Sequence, residues 1–403
     1  MAETHIVFND QLELYGHRYI TKVAPIPEGA NPDPEFHKRK ILALLFEQFL
    51  LFDKIAIKID RDNLELYFLI KELGINKVEE LIERGVIIPV LWTPIIITAL
   101  GMKKPDGTID PDSIIGRPPL VSGKLSNEDS NPERNLDRLL SYLPLHTDRK
   151  RVFKKRVAEK FVFPDNSIAD NATKIVIDAY VKGHLTELGL KNDKEPENLN
   201  RQERDKLFQL GHNVLETTVL AEKNFKSYDK YPEFSLTKES VRKIETAYHV
   251  SENTSEILKV ENLANIQEYV LENKIPFERV FDLRYKKNIK EYRKWINSLS
   301  QSVDTKDITK EYIDEVAGKN NFFESTGGKF VRTVAMFGLG SGVGALVAGS
   351  VGAAAGGLIG KAADFGLSLL DTYVLDGILK GWNPRMFVDE IKNEVSEEEK
   401  LNQ

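Results

Sequence analysis

Between Arg332 and Lys361 run 28 residues without a charge, Thr333 to Gly360, and nine of them are glycine. Small residues recur at every fourth position through Gly340, Gly344, Ala348, Gly352, Gly356 and Gly360, and a second column follows Ser341, Ala345, Gly349, Ala353 and Gly357. Positions four apart stack on one face of an α-helix. The two columns therefore predict a flat stripe almost free of side chains, which another backbone can approach closely. A helix of this length spans about 42 Å at about 1.5 Å per residue, enough to cross a hydrocarbon core of roughly 30 Å. Only ten of the 28 residues are bulky, so at roughly −0.3 to −0.6 kcal/mol for each the drive to insert is only a few kcal/mol. In water each glycine costs about 1 kcal/mol relative to alanine. Such a helix needs something packed on it, and another part of the chain, a second copy or lipid would each serve.

The segment that follows, Ala362 to Lys380, sets Phe365, Leu367, Leu369, Leu370, Val374, Leu375, Ile378 and Leu379 among Asp364, Asp371 and Asp376, the pattern of an amphipathic helix ended by Gly381. In composition and spacing, residues 328–390 resemble bacterial toxin and abortive-infection effectors that join a soluble sensing part to a glycine-zipper segment. The resemblance implies an antiviral or toxic role through membrane damage and brings no catalytic residue with it. On that reading Gly340, Gly344, Ala348, Gly349, Gly352, Gly356, Gly357 and Gly360 make the contact with a second copy or with lipid.

The 403 residues are too many for one ordinary core and predict two or three domains. A hydrophobic fraction of 41% with 29% charged residues belongs to a folded chain. With 56 basic and 62 acidic side chains the net charge is −6, so no global field draws nucleic acid, and any such binding must come from local patches. The absence of cysteine removes disulfides, thiolate catalysis and zinc–thiolate sites together, which fits a reducing cytosol. Met1 to His5 begins no secretory signal.

Helix and strand alternate in the first hundred residues. His37–Phe52 reads as a helix with a broad apolar face and Lys54–Asp60 as a buried strand. Leu64–Leu73 follows as a helix stopped by Gly74. Asn76 with Glu79 makes a capping-box-like start for a further helix ending at Gly85. Gly85–Met102 is uncharged, but Pro89, Pro94 and Ile95–Ile97 favour two short strands joined at Thr93-Pro94 over a membrane span. Residues 103–135 include Pro105, Asp106, Gly107, Pro111, Pro118, Pro119 and Gly123 and read as a long loop or insertion. From Leu136 the pattern is helical.

The expected fold is thus α+β and predominantly helical. A mixed α/β domain covers 1–135 and a helical domain covers 136–317. A glycine/alanine zipper helix with its amphipathic helix covers 328–390, and a charged tail covers 391–403.

Chemistry is sparsely signalled. Asp60 and Asp62, at the end of a predicted strand, are placed to share a hard cation, although Asp62-Asn63 also serves as a helix cap. His212 and Glu216 stand four apart on a helix, with Asp178 and His184 as possible further ligands, but such pairs arise by chance and no metal is assigned. The glycines of 338–344 lack the Gly-Lys-Ser/Thr ending of a phosphate loop. Two runs are candidate anion sites: Arg149, Lys150, Arg151, Lys154, Lys155 and Arg156, and the 284–295 run in which Arg284, Lys286, Lys287, Lys290, Arg293 and Lys294 alternate with Tyr285, Tyr292 and Trp295. The alternative for both is a solvated helix face with aromatics turned inward.

The leading expectation is a non-enzymatic cytoplasmic effector, without cofactor, that self-associates or meets a membrane through 333–360. A metal-dependent hydrolase using Asp60 and Asp62, and a nucleic-acid sensor using the basic runs, are the alternatives.

Overall fold

The computed structural model describes residues 4–98, 119–231, 241, 243–299, 382 and 384–401. The small-residue columns of 333–360, the amphipathic stretch 362–380 and residues 103–118 of the expected 103–135 loop lie outside the described residues, while the rest of that loop holds a strand at Val121–Lys124 and the start of a helix at Pro132. The fold is α+β and predominantly helical, with a small parallel sheet. Strands β1 (Ile6–Asn9), β2 (Lys54–Ile59), β3 (Ile87–Leu91) and β6 (Phe225–Lys226) form that sheet in the order β3-β2-β1-β6. Strands β4 (Pro94–Ile97) and β5 (Val121–Lys124) pair antiparallel, with Ile95 opposite Gly123. The chain divides into two compact units, one of residues 1–55, 226–228 and 245–403, the other of 56–225 and 229–244.

In the first unit the central element is α2 (Pro34–Leu51). Asp33 accepts a hydrogen bond from the Glu35 amide at 3.0 Å, and Pro34 fits the first helical turn. Every residue from Ala43 to Leu51 is buried, so this end of the helix is enclosed on all sides, as a helix with so little polarity on any face must be. Its last carbonyls then need donors other than water. Helices α11 (Val280–Leu283) and α12 (Lys287–Leu299) bring them. Arg284 donates to the Phe49, Phe52 and Asp53 carbonyls, Arg293 to Leu50 at 2.9 Å, and Asn297 to Leu51 at 2.7 Å. Phe49 meets Phe277 and Phe281 edge-on.

Helices α9 (Thr246–Val260) and α10 (Ile266–Leu271) complete the packing, with α13 (Arg385–Leu401), where Phe387 stacks on Tyr292 at 3.7 Å. The charged residues expected as a tail at 391–403 fall largely inside α13. Glu394 and Glu398 there pair with Arg279, and Glu390 pairs with Lys286.

In the second unit α3 (Leu64–Leu73) and α4 (Ile75–Glu83) meet at Gly74, whose φ of 79° suits glycine. The expected capping box does not form. The helix begins two residues earlier, with Gly74 at its N-cap, Asn76 Oδ1 accepts from Arg149, and Glu79 turns inward to Arg149 and Arg156 of α6 (Thr147–Ala158). Helices α5 (Pro132–Ser141), α7 (Ser167–Val181) and α8 (Arg201–Lys223) fill the rest. The α7–α8 pair packs on the β4–β5 hairpin around Ile96, Leu120, Val176, Tyr180, Leu207 and Val214. Helix α8 opens with a full capping box, Asn200 and Glu203, and closes at Asn224 in the left-handed conformation.

Candidate functional site

Parallel sheets place working groups beyond the carboxyl ends of their strands, where successive loops converge. In the second unit Lys58 lies one residue before the end of β2, and Trp92 follows β3, its amide donating to the Ile59 carbonyl at 2.9 Å. The Lys58 ammonium sits 4.9 Å from the centre of the Trp92 ring. It also lies 3.6 Å from a carboxylate oxygen of Glu216, which α8 presents toward it. Tyr231 donates its hydroxyl to the other Glu216 oxygen at 2.7 Å. Asp229 completes the group, with a carboxylate oxygen within 4.8 Å of one on Glu216.

The electrostatics are unbalanced. Burial, then the Glu216 charge, pushes the Asp229 carboxyl up to about 6, against the partial relief given by Lys58. A carboxyl poised there exchanges its proton near neutral pH. Two carboxylates at this spacing can hold a magnesium-like ion whose remaining positions go to water or to substrate phosphate.

The groups singled out from the sequence are dispersed by the fold. Asp60 accepts from the amides of Asp62 and Asn63 at 2.8 and 2.9 Å, so it is Asp60, and not Asp62, that ties the β2–α3 turn. Asp62 sits beside Arg61 at 3.7 Å. His212 stands edge-on to Phe208, while Glu216, one turn along α8, joins Asp229. In the 149–156 run, Arg149 and Arg156 pair with Glu79, Arg151 with Asp148 and Lys154 with Asp137, leaving Lys150 and Lys155 as the remaining cations of α6. In the 284–295 run, Arg284 and Arg293 are buried on α2 carbonyls, and Tyr292 is buried with its hydroxyl on Thr254.

Asp229, Tyr231, Trp92 and Lys58 went unmarked in the sequence, because each is ordinary in its own neighbourhood. Only Glu216 carried a signal, and it pointed to the wrong neighbour, His212. The chain matches no family model, no curated protein and no solved structure.

Proposed function

We propose that the protein is a divalent-cation-dependent hydrolase of phosphoesters working at Glu216 and Asp229. The observation that carries this reading is the pair of carboxylates within 4.8 Å of one another, one of them raised to about 6 by burial and then by the charge of the other. The two carboxylates would hold the cation, which would supply a bound water of lowered pKa and a Lewis-acid contact to phosphate. Hydrolysis would form the bond from water oxygen to phosphorus as the phosphorus–alcohol bond breaks, one water proton ending on the alcohol oxygen and the hydroxyl staying on phosphorus. Lys58 stands beside Glu216 to balance phosphate charge, and the Tyr231 hydroxyl fixes the Glu216 carboxylate for binding. Magnesium and manganese titrated calorimetrically into the full chain test it, together with turnover of a chromogenic phosphodiester. Binding weakened roughly tenfold or more in both Glu216→Gln and Asp229→Asn is expected. Absence of binding to the unaltered chain overturns the reading.

A second reading rests on the small-residue columns between Gly340 and Gly360. On it, the stretch 333–360 assembles copies of the chain or enters a membrane, as in the effectors it resembles. Among the described residues no helix is long and apolar enough to cross a membrane, so this reading is supported by the sequence alone. Liposome flotation and dye release by the full chain, unchanged in Gly352→Leu/Gly356→Leu, would remove it.

A further inference from the structure

We propose that the groove between the α3–α4 junction and the segment after α5 binds a small amphipathic anion, an alkyl or aryl chain ending in a carboxylate. The groove has a volume of about 660 Å³, a size that suits a small organic ligand. Ile70, Leu73 and Ile75 line it from the junction, and Leu143, Pro144 and Leu145 from the segment after α5. Ile70 and Leu143 are buried, while Leu73, Ile75 and Leu145 are only half-buried, so apolar surface is left uncovered along its walls.

The first turn of α4 supplies the polar end. Its N-cap is Gly74, which has no side chain to cap with, and a φ of 79° keeps other residues out of that position. A Cβ added there would meet nothing within 4 Å, so the approach to the turn is open. The two side chains with the spacing to cap it are drawn away: Asn76 Oδ1 accepts from Arg149 at 2.8 and 3.1 Å, and Glu79 pairs with Arg149 and Arg156. No side chain caps the helix and no acid stands in its first turn. The leading amides and the positive end of the helix dipole are thus left for a ligand, in residues that line the groove. Lys71 and Lys77 line it as well, against a single carboxylate, Glu80. Glu80 is shared by Lys77 at 3.2 Å and Arg84 at 3.0 Å, so Lys77 can turn to a ligand while Arg84 keeps Glu80 paired. Two lysines and a bare helix end against one acid call for a negative headgroup, and the apolar walls call for a hydrocarbon body behind it.

Calorimetric titration of the full chain with decanoate tests the proposal, with decanol as the body without the charge and acetate as the charge without the body. Decanoate should bind roughly tenfold or more tightly than either. Lys71→Gln/Lys77→Gln should weaken decanoate roughly tenfold and leave decanol unchanged. Asn76→Asp keeps the oxygen that Arg149 binds and adds negative charge to the first turn of α4, where it favours the helix. It should weaken decanoate in the same way without lowering the melting temperature. No binding of decanoate, equal affinity for decanol, or a decanoate affinity that ignores both variants overturns the proposal.

Discussion

Glu47 is an acid in the middle of a helix with only 2% of its surface exposed. Burial raises its pKa, and hydrogen bonds from Ser251, Tyr228 and Gln267 oppose the rise without cancelling it. The Tyr228 hydroxyl donates to it at 2.8 Å. A carboxyl whose folded-state value lies above its unfolded value favours folding most strongly below the unfolded value, about 4.3. That contribution is lost as pH rises through the folded value. Glu47→Gln removes the charge and leaves an oxygen to accept from Tyr228. The amide it gains can donate to the Gln267 side-chain oxygen, a buried atom with no hydrogen-bond partner.

Where the carboxyl is neutral, the exchange replaces one neutral hydrogen-bonding group with another and should change stability by no more than about 1 kcal/mol. Where it is ionised, the wild type carries the cost of a buried charge. Three charge-assisted hydrogen bonds offset only part of it, each stronger than its neutral counterpart by about 1 kcal/mol. The variant should then be the more stable by about 1–2 kcal/mol, or roughly 2–8 °C at about 2–4 °C per kcal/mol for a domain of this size. Melting followed by circular dichroism from about pH 4 to about pH 8 measures the difference. A gap opening in favour of Glu47→Gln as pH rises is expected. A gap that stays flat, or a variant less stable throughout, refutes the argument that burial dominates at this carboxyl. Tyr228→Phe is the companion measurement: it strands a Glu47 oxygen and should cost about 1–3 kcal/mol.

In the second unit, Glu216→Gln removes the charge beside Asp229, so the Asp229 carboxyl should titrate below about 6, as seen by carboxyl-carbon NMR; an unmoved titration contradicts the pairing. Lys58→Met should move the same titration upward. Arg293→Met leaves the Leu50 carbonyl without its donor and should lower stability to denaturant by about 1–3 kcal/mol, whereas Lys294→Met, on the exposed side of the same helix, should change it by less than about 0.5 kcal/mol. A Cβ at Gly211 would stand 3.3 Å from both Ile96 Cδ1 and Leu120 Cδ1. Gly211→Leu should therefore overfill the helix–hairpin junction and cost about 1–3 kcal/mol in the same assay.

The sequence made α2, β2, α3, β3 and β4 legible, because period and punctuation act within a few residues: the apolar face from His37 marks α2, although Asp33 and Pro34 start it three residues earlier, Gly74 stops α3, and alternating isoleucines mark β2. Legibility failed where a side chain chose a distant partner over a near one. Asn76 and Glu79 have the spacing of a capping box, yet two arginines more than seventy residues away bind them instead. Glu79 is buried and needs a partner there, which two partly exposed arginines supply, and nothing in the window around Asn76 reports that the arginines will arrive. The site was hidden in the same way. Lys58 and Glu216 are 158 positions apart, and Asp229 lies in a short polar segment with no periodicity to mark it.

The two basic runs show why density of charge along a chain is a poor guide to where charge acts. A run of arginines reads as a patch only if its partners are water and ligand. In the 284–295 run the guanidinium fork instead meets the last turn of α2, where several carbonyls point the same way and carry the negative end of the helix dipole. Burial of that turn supplies the demand, since an enclosed carbonyl without a donor costs more than ordering one arginine. Around Asp229 few charges are present, yet burial, and after it the nearby Glu216 charge, raises the carboxyl to about 6 against the pull of Lys58. Where a charge acts thus depends on its burial and its nearest partners in the fold, which the density of charge along the chain does not report.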